Sequence, residues 1–181
     1  NNIHLNRLFR RLFGDSAKTK HIPDFMMSLP LKLQTSIILG LWRGDGYFNM
    51  KGVWPRAGYS TICPQLIQQL KSLLLRQKII PSMYEEDEKI KANVHHQKSY
   101  RIHIGDIDSL IKLSVILKIK FIPPNRPRVH RIWHDKNFSY VPVTKITKKI
   151  FNGRLSNLEV SSAHTYVTDA FLVHNCGDVM R

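Results

Sequence analysis

The chain reads as an α+β protein: one helix–strand–strand–helix–strand–strand–helix unit followed by a run of short β-strands. Three observations lead to that class. Apolar residues recur at helical spacing in four segments before residue 120. Runs rich in β-branched and aromatic residues, bounded by Gly, Pro, Asn and Asp, fall in pairs between those segments. Beyond a proline-rich basic stretch at 121–128 the helical period disappears and apolar/polar alternation replaces it.

In chain order, 1–14 is expected to be a helix, with Ile3, Leu5, Leu8, Phe9, Leu12 and Phe13 on one face and Arg7, Arg10 and Arg11 on the other. Gly14-Asp15-Ser16 ends it, and a basic connection through Lys18, Lys20 and His21 leads to a short segment entered at Pro23-Asp24. From Pro30 a second helix carries Leu33, Ile37, Ile38, Leu41 and Trp42 and stops at Gly44-Asp45-Gly46. Residues 47–51 and 56–61 read as a hairpin around Gly52-Val53-Trp54-Pro55. Residues 64–77 form a third helix with Leu66, Ile67, Leu70, Leu73 and Leu74 as its buried stripe, preceded by Cys63 as a small buried residue. Strands are expected at 80–85 and 99–104, joined by a polar loop that contains His95-His96. A last helix at 106–118 is capped by Asp106 or Asp108 and lined by Ile107, Leu110, Ile111 and Leu113.

The end of the second helix carries the first chemical signal. In Ile38-Leu39-Gly40-Leu41-Trp42-Arg43-Gly44-Asp45-Gly46, Gly40 lets another helix come close, Leu41 and Trp42 pack, and Asp45 emerges at the helix terminus. A carboxylate there suits Mg²⁺, which takes carboxylate, water and phosphate oxygens. The same Asp-Gly pair also serves as an ordinary helix-end turn. This stretch resembles the LAGLIDADG motif of homing endonucleases, with Arg43 in place of the more usual first acidic residue. The element order after it matches one unit of that family. The resemblance implies a four-stranded curved sheet lying in the major groove of double-stranded DNA, with Asp45 as metal ligand and catalytic residue and Mg²⁺ as cofactor. It also implies that outward strand residues touch DNA: Lys51 and Arg56 on the first hairpin, and Tyr100, Arg101 and His103 on the later strand. The family uses a lysine near the active site, and no lysine here is marked out by spacing.

The second signal lies near the C-terminus. An apolar run ends in His174-Asn175-Cys176, an asparagine followed by a thiol, ten residues after His164. The Asn175 side-chain amide can attack its own carbonyl carbon, close a succinimide and release the chain that starts at Cys176; the closure is intramolecular. With Leu158-Glu159-Val160, His164-Thr165-Tyr166-Val167 and Phe171-Leu172-Val173-His174-Asn175-Cys176, the region resembles the C-terminal splicing motifs of inteins. That resemblance implies that Asn175 cyclises, that Cys176 is the acyl-accepting thiol, and that His174 and His164 handle protons. Asn157 stands where many members carry an aspartate.

The chain begins at Asn1, and no threonine is followed three residues later by histidine, so the N-terminal splicing motifs of the family are not in this sequence. A complementary N-terminal intein fragment, carrying the other motif helix, is therefore expected as partner, in preference to homodimerisation. The expected organisation is an endonuclease unit at 1–122, a linker at 123–137, the C-terminal part of a splicing domain at 138–175, and the start of the host protein, the extein, at 176–181.

Composition agrees with these expectations. Across 181 residues, 28 Lys and Arg against 13 Asp and Glu give a formal charge of +15, and the isoelectric point is near 10.1. Ordinary apolar content with such charge points to a folded polyanion binder, with nucleic acid as its partner. The longest apolar stretches are too short to span a bilayer, so no membrane partner is expected. Two cysteines do not make a disulfide framework, and a reducing, cytoplasmic location is expected.

Overall fold

The computed structural model describes residues 2–51, 54–91, 93–125, 132–154, 156, 158–168 and 171–174. Five helices and ten strands occur among them. Helix α1 (Ile3–Phe13) is followed by the short α2 (Asp24–Met27), by α3 (Leu31–Asp45) and by the hairpin β1 (Gly46–Asn49) and β2 (Arg56–Thr61). Then come α4 (Pro64–Arg76), β3 (Ser82–Glu86), β4 (Lys89–Lys91), β5 (Val94–His96), β6 (Ser99–Ile104) and α5 (Ile107–Leu117). The C-terminal part holds β7 (Trp133–His134), β8 (Ser139–Tyr140), β9 (Thr165–Val167) and β10 (Leu172–His174). No helix among the described residues is long and apolar enough to cross a membrane.

Strands β1, β2, β6 and β3 form one antiparallel sheet in that order. Successive side chains alternate between its faces, so the register sorts them. Phe48, Ala57, Tyr59, Ile102, Ile104 and Met83 fall on one face and pack with the helices, where Ala57, Tyr59, Ile102 and Ile104 are buried. Helix α3 touches both α4 and α5. The core is built from Ile38 of α3, Ile67, Leu70, Leu73 and Leu74 of α4, and Leu110 and Leu113 of α5, all fully buried. These are the apolar stripes expected from sequence. The cap of α5 is Asp106, which accepts the backbone N–H of Ser109 at 2.9 Å.

The segment between α1 and α3 has little regular structure and is held by side chains of α4. Gln69 accepts the N–H of Ile22 at 2.8 Å and donates to its carbonyl at 2.7 Å, imitating a strand partner. The Cys63 thiol donates to the carbonyl of Lys20 at 2.9 Å, and Arg76 donates to the carbonyl of Met27. At the end of α1, Gly14 has φ +88°, and a Cβ there would lie 2.2 Å from the carbonyl oxygen of Thr19. This turn therefore requires glycine. Gln69→Ala is expected to cost about 2 kcal/mol, since it leaves two part-buried backbone groups unpaired; a urea unfolding curve measures it.

Three expectations are corrected. The supposed polar loop between β3 and β6 is a protruding antiparallel hairpin, with Lys89 opposite His96 and Lys91 opposite Val94. Its Ile90 and Val94 side chains are exposed, so no buried face announces a strand. The segment expected as linker at 123–137 contains β7, which pairs with β8 through the stacked rings of Trp133 and Tyr140, 3.7 Å apart. Asp135 fixes that hairpin: it accepts the N–H groups of Asn137 and Phe138 and the Tyr140 hydroxyl, and the Tyr140 bond first of all lowers its pKa. Finally, regular strand after 138 is confined to Ser139–Tyr140, Thr165–Val167 and Leu172–His174 among the described residues. Leu158-Glu159-Val160 is not a strand.

Candidate nucleic-acid and metal site

The motif helix α3 runs through Asp45, and its two sides differ sharply. Gln34, Ile38 and Trp42, four residues apart, are buried. Ser36, Gly40 and Gly44, displaced by half a turn, are exposed, and a Cβ at Gly40 or Gly44 would meet nothing within 4 Å. The helix thus shows an open stripe of small residues, flanked by the exposed Leu33.

Its C-terminal end is anchored by Trp42, whose indole Nε1 donates to the carbonyl of Tyr47 at 3.1 Å. Gly46 has φ −90°, which any residue adopts. It is glycine for another reason: a Cβ there would lie 2.5 Å from the Trp42 ring. The Asp45 carboxylate emerges at this point, half exposed. Two groups the sequence did not reveal meet it. Lys20 Nζ lies 3.9 Å from Asp45 Oδ2, both side chains about half exposed. The Tyr59 hydroxyl, from the residue opposite Gly46 in the β1–β2 ladder, hydrogen-bonds the carboxylate.

Burial, and then the Asp45 charge and hydrogen bond, push the Tyr59 phenol up to about 12. Its folded pKa lies above the ordinary value of 10.0. The bonded phenol therefore stabilises the fold fully below pH 10, and that contribution is lost as pH rises through about 12. Wild type is expected to lose stability over this interval faster than Tyr59→Phe, as denaturant melts at successive pH values would record.

The outward face of the sheet lies beside this carboxylate. Register places Tyr47 and Asn49 of β1, Arg56, Gly58 and Ser60 of β2, Arg101 and His103 of β6, and Tyr84 and Glu86 of β3 on it. Tyr47 lies across Gly58, where a Cβ would be 2.6 Å from its ring. A concavity of about 570 Å³ is lined by Tyr47, Arg56, Ser60, Tyr84, Arg101 and His103, among others. Arg101 is held by Glu86 at 2.9 Å. Of the sequence-derived DNA contacts, Arg56, Arg101 and His103 share this face, and Lys51 is exposed just past β1. Tyr100 is the correction: neighbouring strand residues point to opposite faces, and its ring packs against the core while Arg101 points out.

Among the described residues no group of three or more His, Cys, Asp or Glu side chains could hold a metal ion. Asp45 still suits Mg²⁺, which is often held by one or two carboxylates with water and substrate phosphate completing the shell. The negative end of the α3 dipole favours a cation at the same place.

The second group of candidates lies on the β9–β10 hairpin. His174 pairs with Thr165 across it, and the rings of His164 and His174 stack with centroids 6.2 Å apart. His164 takes a left-handed φ of +51° after the turn at 161–163. Two residues named for proton transfer are therefore brought together. Asn175, Cys176 and Asn157 lie outside the described residues.

Residues 32–113 match the model of the LAGLIDADG-like domain family. This segment is a LAGLIDADG-like domain. The match bears out the resemblance read from residues 38–46, and the whole of α3, the sheet and most of α5 fall inside it. The full chain also has curated relatives. It is 28% identical over 188 residues to an uncharacterized protein of Methanocaldococcus jannaschii, covering 96% of this chain and 22% of that protein. It is 22% identical to a DNA polymerase of Thermococcus hydrothermalis, covering 94% of this chain and 11% of the polymerase. It is 26% identical to an ATP-dependent DNA helicase of Thermococcus kodakarensis, covering 94% and 15%. The chain thus spans less than a quarter of each relative's length. The LAGLIDADG unit and the tail are matched together.

Proposed function

We propose that the chain is the C-terminal part of an intein, in which a LAGLIDADG unit cuts double-stranded DNA with Mg²⁺ and the tail severs the peptide bond after Asn175. The observation that carries the DNA reading is the placement of Asp45, at the end of a helix with an open small-residue stripe and beside an outward row of Arg56, Arg101 and His103. The insertion reading draws on the relatives. One segment of nearly the same extent is similar to parts of a polymerase and of a helicase, at about a tenth to a seventh of their lengths. What two such different enzymes share is a segment, so its activity is assigned to the segment itself.

In this reading Arg56, Arg101 and Lys51 bind phosphates or guanine edges and set the register of the duplex. Asp45 holds the ion, and Lys20 supplies positive charge beside the phosphate. Mg²⁺, when bound, polarises the phosphoryl oxygen and lowers the pKa of its water. The stripe of Ser36, Gly40 and Gly44 seats a second motif helix from a complementary fragment, which brings a second carboxylate to the other strand. Gly40→Leu tests that step. Its side chain enters open space and raises helix propensity by roughly 1 kcal/mol, so the fold is expected to hold. Cleavage is expected to fall at least tenfold as the partner helix is kept away, as a nicking and cleavage time course would show.

At the tail, Asn175 Nδ2 bonds to its own carbonyl carbon while the peptide bond to Cys176 breaks. The proton lost from the nucleophilic amide is balanced by one delivered to the leaving nitrogen, with His174 as donor and His164 beside it as relay. The Cys176 thiol, kept reduced in a cytoplasmic compartment, accepts the acyl group from the other half. The splicing domain would occupy 138–175 and the host extein 176–181.

The test of the nuclease is a duplex from the host gene incubated with the protein in Mg²⁺ or in chelator. A double-strand break that needs Mg²⁺ supports the reading. Binding without scission would make the unit a DNA-binding module.

A further inference from the structure

We infer that Tyr59 is the positioning residue of the metal site, its buried hydroxyl holding one oxygen of the Asp45 carboxylate so that the other faces the DNA side. This rests on the reading of Asp45 as a metal ligand. The two partners of Asp45 are unlike. Lys20 is about half exposed on an irregular segment, and its ammonium sits at 3.9 Å, a contact that solvent and salt loosen. Tyr59 is 2% exposed and fixed from three sides: it stands opposite Gly46 in one ladder, opposite Ile102 in the next, and 6.1 Å from the ring of Trp42. Trp42 itself joins α3 to β1 through its bond to the Tyr47 carbonyl. The helix end that carries the carboxylate and the strand that carries the phenol are therefore parts of one packed assembly.

A free aspartate at a helix terminus samples several rotamers, and a lone ligand that does so binds an ion weakly. A carboxylate offers about four lone-pair sites. One is used by the phenol, and the rest remain for a cation and its water. Groups that orient a ligand in this way typically change metal affinity 10- to 100-fold when removed.

The test compares wild type, Asp45→Ala and Tyr59→Phe as full chains, each with a saturating mixed-sequence duplex, using Mn²⁺ as probe and electron paramagnetic resonance to count bound ion. Asp45→Ala defines the specific site. Tyr59→Phe keeps the buried ring, and its melting temperature below pH 9 serves as the control for packing. Asp45-dependent Mn²⁺ binding weakened about tenfold in Tyr59→Phe, with the melting temperature little changed, is expected. Asp45-dependent binding that is the same in Tyr59→Phe overturns the positioning role and leaves the metal site standing. If wild type and Asp45→Ala bind Mn²⁺ alike, both the site and the role are overturned.

Discussion

Asp45→Ala is expected to slow Mg²⁺-dependent DNA cleavage about a thousandfold or more while leaving the protein folded. Losing the carboxylate removes the ion's protein ligand on this unit, and the ion supplies several kcal/mol of transition-state stabilisation. At about 1.4 kcal/mol per factor of ten, that reaches the range stated. The effect on stability should be small, within about 0.5 kcal/mol, because the side chain is half exposed and its ion pair with Lys20 is long and solvated. Single-turnover cleavage beside a urea melt separates the two. DNA binding should persist, since Arg56, Arg101 and His103 remain on the outward face. A variant that cuts like wild type would remove Asp45 from the chemistry.

Asn175→Ala is expected to abolish release of whatever follows Cys176. The attacking nitrogen is gone, and external water does not replace an intramolecular nucleophile with an effective concentration of about 10⁵ M or more. His174→Ala should slow release by about 10²- to 10⁴-fold, the usual worth of a positioned acid or base, without stopping it. The stacked rings of His164 and His174 predict that the paired variant loses little more than His174→Ala alone, because the two residues act in one relay. A reporter fused after Cys176, followed by gel and mass, measures all three. The complementary N-terminal fragment belongs in that assay.

Much of the first unit was legible because its signals are local. The apolar stripe of α4, from Leu66 to Leu74, recurs at 3.6 residues and is buried as expected. The motif helix and Asp45 also announced themselves within nine residues. Lys20 and Tyr59 did not, because each reaches Asp45 through a tertiary contact, one by a loop strapped to α4 and the other by strand register. Naming Tyr100 beside Arg101 as a DNA contact overlooked the two-residue period of a strand. The β4–β5 hairpin was missed for a different reason. A ribbon exposed on both faces, with Lys89, His95 and His96 at its surface, carries no buried alternation to read. In the tail the hairpin around His164 and His174 was visible from alternation, whereas the segment 141–154 has polar and apolar residues but no strand. Alternation alone does not make a strand where no neighbour is paired.

The most direct measurement sets two duplexes side by side: host-gene sequence uninterrupted, and the same sequence carrying the coding segment of this chain at the insertion point. With the complementary half present and Mg²⁺ supplied, a break is expected in the uninterrupted duplex only. Equal cutting of both, or an intact uninterrupted duplex that the protein nevertheless binds, would contradict the assignment of a DNA-cutting insertion element.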